Sequence, residues 1–296
     1  MELTKSKEST IVTHDGKFHG DDVLACMIMA HVSDRNIIIR TRDQDIISTA
    51  DYVIDVGRDY DGNTKFDHHQ FDEKSDMYGK AAAGLVWYRY GYDYIRKLDP
   101  TIDDRILGQC SSVMAEGFVG DIDKGDLGIL EGRSSSSMST IISAMNVGDD
   151  VNQQFTSAMQ VMQKCFDATL LAAIDRLKSV EEVLNSEVID GNILVLKRGM
   201  ACKQIVSEQP EFDSIKFIVI PQEKGDYRIV TVPISGVKGF SSRMNFPKEW
   251  ADLQSDELSE NTGIPGCIFC HKGLFIAGHE TREGAIALAK LAISKQ

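Results

Sequence analysis

The sequence predicts an α/β fold: a doubly wound, mostly parallel sheet, with a second, smaller α/β domain after it. Three observations lead there. Short apolar runs alternate with longer stretches of helical periodicity between Thr10 and Asn185. Histidines and aspartates stand at the ends of three of those runs. Beyond the turn signal Asp190-Gly191-Asn192 the style changes, and strand-like runs follow one another.

Thr10 to Thr13 reads as a short buried strand that runs into the Gly-containing turn His14 to Gly20. Asp21 and Asp22 precede Val23, Leu24, Met27 and Ile28, whose i, i+4 spacing is that of a core-facing helix. Ile37 to Thr41 reads as a second strand, Tyr52 to Val56 as a third and Lys65 to Asp67 as a shorter fourth. Helices are expected over about Gly79 to Leu98, Thr101 to Val119 and Asn152 to Asn185, with a mobile loop at Arg133 to Ser139. Ile193 to Lys197, Phe217 to Ile220, Tyr227 to Pro233 and Cys267 to His271 read as strands of the second domain. Thr281 is placed to cap a final helix over Glu283 to Ser294. The boundary is expected between residues 187 and 188.

A chain of 296 residues with 42% hydrophobic and 26% charged content has material for two domains and a large core. Its apolar runs fall short of a membrane span, and Met1 to Thr10 lacks the apolar stretch of a signal peptide. A cytoplasmic or nuclear, non-secreted protein is expected. Six scattered cysteines then read as free, mostly buried thiols. Cys267-Ile268-Phe269-Cys270-His271 matches a haem-attachment pattern, but export is not expected and no second cysteine pair completes a zinc site. A net charge of −13 excludes a general nucleic-acid-coating protein, though not an enzyme that grips one end of a strand.

In doubly wound sheets, ligands bind beyond the carboxyl ends of the strands. His14, Asp55 and Asp67-His68-His69 all fall at that end. Carboxylate and imidazole groups delivered from separate elements suit two hard divalent metals, Mn²⁺ or Mg²⁺. His14, His19 and Asp21 are candidate ligands from the first turn, with Asp22 set to orient a ligand from behind. Asp55 is the candidate bridge between two ions. Adjacent histidines point in different directions, so Asp67 and His68 are assigned to the metals and His69 to the phosphate or leaving group. Asp123 is a further candidate ligand, in competition with Asp121 and Asp126. The chemistry expected is metal-dependent hydrolysis.

His-Asp-Gly-Lys-Phe-His-Gly-Asp-Asp at 14–22, Val-Ile-Asp-Val-Gly at 53–57 and Phe-Asp-His-His-Gln at 66–70 resemble the melanocyte-proliferating-gene (Myg) family, a branch of the DHH-type phosphoesterases. Phe246-Pro247-Lys248-Glu249-Trp250, Gly263-Ile264-Pro265-Gly266 and the run His279 to Ala285 extend the resemblance over nearly the whole chain. It implies a metal-binding catalytic domain (1–187), a substrate-binding domain (188–296) and a 3′-to-5′ RNA exonuclease. Metal roles carry over to His14, Asp21, Asp55, His68 and Asp123. The chain departs from the family pattern at Asp15 and Asp22, where Asn and Glu are usual, in the motif from Asp123 to Gly128, and at Ala277-Gly278, where a glycine pair is expected.

Arg243, His271, His279 and Arg282 are the candidate substrate-holding residues, arginine being suited to bidentate phosphate contact. RNA or an oligonucleotide is the expected partner, and no membrane is. The same site could serve a small-molecule phosphatase or pyrophosphatase, or a metal-binding scaffold without turnover. His31 sits apart from these motifs, on a helix face where packing accounts for it.

Overall fold

The computed structural model describes residues 8–129, 134–237 and 241–295. The chain forms two compact units, residues 1–174 and 175–296. Arg133, the start of the expected loop, lies outside the described residues.

The first unit carries a four-stranded sheet. Its strands are β1 (Ser9–Thr13), β2 (Asn36–Arg40), β3 (Tyr52–Ile54) and β4 (Lys65–Phe66), in the order β2-β1-β3-β4. All three pairings are parallel, so every strand ends at the same edge. Helix α1 (Gly20–Val32) returns the chain after β1. Its Val23, Leu24, Met27 and Ile28 are buried, and each contributes about 1.5–3 kcal/mol of hydrophobic stabilisation. A short polar helix, α2 (Gln44–Thr49), buries no residue and precedes β3. Helix α3 (Ala82–Leu98) packs on α1.

Helix α4 (Asp104–Met114) passes through a π-helical turn at Ala115–Val119 into α5 (Gly120–Asp126). Gly120 permits that turn, because a Cβ there would stand 2.7 Å from the Ala115 carbonyl oxygen. Helix α6 (Met138–Ala144) occupies part of the segment expected as a loop. The long helix α7 (Val151–Leu184) buries Phe155, Ala158, Met162, Phe166, Leu170 and Ile174 at helical spacing. Among the described residues no helix is long and apolar enough to cross a membrane.

The second unit is a six-stranded mixed sheet with the order β5-β6-β7-β8-β10-β9. The hairpin of β5 (Glu187–Ile189) and β6 (Ile193–Val195) turns through Asp190 at φ 49° and Gly191 at φ 71°. Two successive left-handed residues give the twist that such a hairpin needs. Helix α8 (Lys203–Glu208) leads to β7 (Phe217–Pro221) and β8 (Tyr227–Thr231). Helix α9 (Ser255–Thr262), β9 (Cys267–Cys270), β10 (Ile276–His279) and α10 (Arg282–Ser294) complete the unit.

Strand periodicity assigns Ile193, Val195, Phe217 and Val219 to one face, against Ala285, Leu288 and Ala289 of α10. Leu194, Leu196 and Ile218 pack on the other face with Ile205, Val206 and Phe212. Both faces of β6 and β7 are therefore covered, which is why those runs are apolar throughout. The Thr281 hydroxyl accepts a hydrogen bond from Gly284 N at 3.2 Å and caps α10.

Candidate metal centre

Strand ends build the centre. His14 follows β1, Asp55 follows β3, and Asp67 follows β4. Asp55 sits at φ 53°, a left-handed conformation that Asp tolerates better than most residues. Its amide donates to the Phe66 carbonyl at 3.0 Å, which holds the turn against β4. Helix α1 adds Asp21 and Asp22 from its first turn, both fully buried.

Asp55 is the hub. Its Oδ2 lies 3.4 Å from His14 Nε2, and its Oδ1 lies 3.3 Å from His68 Nδ1 and 3.6 Å from His69 Nδ1. His14 Nε2 also lies 3.3 Å from Asp22 Oδ2. His14 Nδ1 is 2.8 Å from the Asp15 carbonyl and donates its proton there. In the neutral ring that leaves the bare lone pair of Nε2 facing two carboxylate oxygens, an arrangement that calls for a cation.

Further on, His68 Nε2 lies 3.3 Å from Asp126 Oδ2, and His19 Nδ1 lies 3.7 Å from Asp126 Oδ1. Ligand-type atoms fall into two groups, each within a 4.8 Å span: Asp55, Asp67, His68 and His69, and then His19, Asp21 and Asp126. Asp67 is also a structural anchor. It accepts from Arg58 N at 2.8 Å, His69 N at 2.9 Å and His69 Nδ1 at 2.8 Å.

The electrostatics are those of crowded acids. Burial, then the charges of Asp55 and Asp126, hold the Asp21 carboxyl well above the usual range. Burial pushes Asp22 up to about 7, against the pull of His14. Burial would raise Asp55 too, but the imidazoles of His14 and His68 beside it bring it down to about 2. His68 is the counterpart: burial lowers it, yet Asp126 and Asp55 push it up to about 10. Both oxygens of Asp21, Oδ2 of Asp22, Oδ1 of Asp55 and Nδ1 of His68 are buried with no hydrogen-bond partner. Such orphaned groups are rare, and each carries a desolvation penalty of about 1–3 kcal/mol. The donor set and its bare atoms fit hard divalent cations.

Asp123 is bonded at the start of α3, where its side chain accepts from Gly84 N at 2.9 Å. Burial pushes its carboxyl up to about 7. A Cβ on Gly84 would stand 1.9 Å from Asp123 Oδ2, so the glycine makes the approach possible. Asp126, three residues along α5, is the carboxylate that reaches the centre, and Asp121 is exposed. A cleft of about 690 Å³ opens over His14, Asp55, His68 and His69 and is also lined by Lys17 and Arg42. Sequence reasoning passed over Arg42, although it follows β2 at the same sheet edge.

Of the residues expected to hold substrate, three are occupied within the second unit. The Arg243 guanidinium donates to the carbonyls of Phe212, Ile215 at 3.2 Å, Val206 at 3.3 Å and Ser207 at 3.2 Å. It ties down the C-terminal end of α8 and the turn after it. His279 is 2% exposed, its Nε2 bonded to the Pro265 carbonyl at 3.1 Å and its Nδ1 accepting from Thr281 N at 3.0 Å. Arg282 is paired with Glu187. His271 is exposed, with its Nδ1 accepting from Gly273 N at 3.0 Å. Cys267 and Cys270 are buried in the sheet core, and burial pushes the Cys270 thiol up to about 12.

Comparison with known proteins bears on the whole chain. Residues 10–293 match the model of the MYG1_exonuc family, described as "Uncharacterised protein family (UPF0160)". The MYG1 protein of Dictyostelium discoideum is 33% identical, with 95% of each chain covered. The MYG1 exonuclease of Homo sapiens is 31% identical over 97% of this chain and 86% of its own. The MYG1 exonuclease of Rattus norvegicus is 32% identical over 97% of this chain and 85% of its own. The chain belongs to this family.

Proposed function

We propose that this member of the MYG1 family is a metal-dependent phosphodiesterase, acting as a 3′-to-5′ exonuclease on RNA. One observation carries the reading: the buried, partnerless atoms of Asp21, Asp22, Asp55 and His68 converge at the carboxyl edge of a parallel sheet. The names of the human and rat relatives, both exonucleases, agree with it.

His14, Asp55 and His68 would hold one part of a pair of ions, and His19, Asp21 and Asp126 the other, with Asp67 beside the first group. Asp55 turns one oxygen to His14 and the other to His68, as a bridging carboxylate must. Manganese or magnesium bound there would supply an acidified water and a sink for the negative charge on the phosphoryl oxygens. Asp22 Oδ2 lies 3.3 Å from His14 Nε2 and would share the cation that His14 binds. His69 gives its Nδ1 to Asp67, so its Nε2 is the free nitrogen, on a ring half exposed to the cleft. In the imidazolium form both ring nitrogens carry a proton, and the one on Nε2 is placed for the leaving oxygen. Arg42, paired with the exposed Asp15 at 3.2 Å, lines the same cleft and adds positive charge to it. The second unit is assigned to holding the strand, and His271 is the exposed candidate there.

The net charge of −13 gives a second reading some support, a small-molecule phosphatase or pyrophosphatase on the same centre. The test is hydrolysis of 5′-labelled single-stranded RNA with and without Mn²⁺, beside an Asp67→Ala/His68→Ala control, with pyrophosphate as competing substrate. Stepwise shortening that needs Mn²⁺ and vanishes in the control is the expected result. Turnover of pyrophosphate alone would replace the first reading with the second.

A further inference from the structure

The metal cleft does not end at His19. A second cavity of about 450 Å³ opens beyond it and shares Lys17, His19 and Asp126 with the first. Its far wall is α6, which offers the hydroxyls of Ser139, Thr140 and Ser143. Two glycines let α6 pack close against α1 and α5 at this wall. A Cβ on Gly125 would stand 2.6 Å from Ser139 Oγ, and one on Gly20 3.3 Å from the same atom. Asn146 fixes the opposite wall, accepting from Phe18 N at 2.9 Å and donating to Phe18 O at 2.8 Å.

The chemistry of the lining is selective. Thr140 bonds to Ser137 at 2.8 Å, while Ser139, Ser143 and Lys17 keep their polar atoms without a side-chain partner among the described residues. Among the described residues that line the far cavity, Lys17 is the one lysine or arginine, and it lines the first cavity too. Among the described residues, a second phosphate in the far cavity would meet hydroxyls and no further lysine or arginine. A neutral, hydroxyl-bearing group fits there, and the volume lies within the range of small-ligand sites.

The geometry points to a subsite for the terminal nucleoside of a strand: its sugar hydroxyls meet Ser139 and Ser143, and Lys17 holds the phosphate between it and the metal centre. This rests on the proposed phosphodiesterase reading and names its substrate class, a nucleoside phosphate rather than a polyphosphate. A pocket for one nucleoside also accounts for removal of one unit at a time.

The test is calorimetric titration of the full chain, loaded with Mn²⁺, with adenosine 5′-monophosphate and with adenosine. Ser143→Phe fills the pocket and is expected to weaken the monophosphate at least tenfold while Mn²⁺ uptake is unchanged. Lys17→Gln, at an exposed position that tolerates substitution, is expected to weaken the monophosphate about tenfold, the loss of one charge-assisted hydrogen bond, and to leave adenosine binding as it was. Monophosphate affinity within twofold of wild type in both variants, or no saturable binding to wild type, overturns the subsite. If RNA is still shortened in that case, the phosphodiesterase reading stands without it. If both variants weaken the monophosphate but no ester is cleaved, the subsite stands and the phosphodiesterase reading falls.

Discussion

The two units use their titratable side chains differently. In the second unit, cations and imidazoles are spent on the protein itself: Arg243 on four carbonyls, His279 on Pro265 and Thr281, Arg282 on Glu187. In the first unit, Asp21, Asp22, Asp55 and His68 stay buried with atoms that nothing in the chain satisfies. Folding alone does not retain such groups, because each could be replaced by an apolar residue with a gain in stability. The contrast teaches where to look for a ligand. A satisfied arginine is architecture, and a buried carboxylate without a donor is half of an interaction.

The largest effect that could break this comparison is loss of the hub. Asp55→Ala is expected to reduce Mn²⁺ affinity and metal-dependent hydrolysis by about 100-fold or more, with urea unfolding of the second unit unchanged. Retained affinity would mean that the orphaned atoms of the first unit serve folding. Metal addition sharpens the same contrast. Mn²⁺ at a hundred times its dissociation constant stabilises whatever binds it by about 2.7 kcal/mol. Amide hydrogen exchange should slow in β1 and β3 and stay constant in β7 and β8. Equal slowing in both units would contradict the assignment of the ions to the first.

Arg243→Ala works in reverse. It strands the carbonyls of Val206, Phe212 and Ile215 and is expected to lower the stability of the second unit by about 2–3 kcal/mol, with KM for RNA unchanged. A raised KM with stability intact would restore Arg243 to the substrate-holding role that its sequence position suggested.

The smallest effect concerns Asp123. Its folded carboxyl is pushed up to about 7 from the ordinary carboxylate value. Protonation therefore favours the folded state, and this contribution is fully present below pH 4 and lost as pH rises through 7. Asp123→Asn is expected to flatten the fall of Tm between pH 5 and pH 8. Identical pH profiles would show that Asp123 stays ionised when folded.

Much of the fold was legible because apolar runs ended in chemistry. β1, β3 and α1 follow from Thr10 to Thr13, Tyr52 to Val56 and the Val23-to-Ile28 stripe. The cap at Thr281 was equally plain. The short helices were not. α2 has no fully buried residue and only Ile47 packed on the Val12–Val53–Val56 cluster, too little for a periodicity to mark it. α5 contains Gly120 and Gly125, which read locally as turn residues, and only packing on α1, α3 and α6 makes the segment helical. The choice between Asp123 and Asp126 turned on helix phase after a π turn, which spacing alone does not reveal. Nor does sequence tell whether an arginine faces phosphate or its own backbone, as Arg243 shows.

The most direct test of the central claim is anomalous scattering at the manganese edge from crystals of the full chain grown with Mn²⁺. The account predicts two peaks in the first unit, with Asp55 between them, His14 and His68 on one side and Asp21 and Asp126 on the other. Peaks elsewhere, or none beside Asp55, would contradict it.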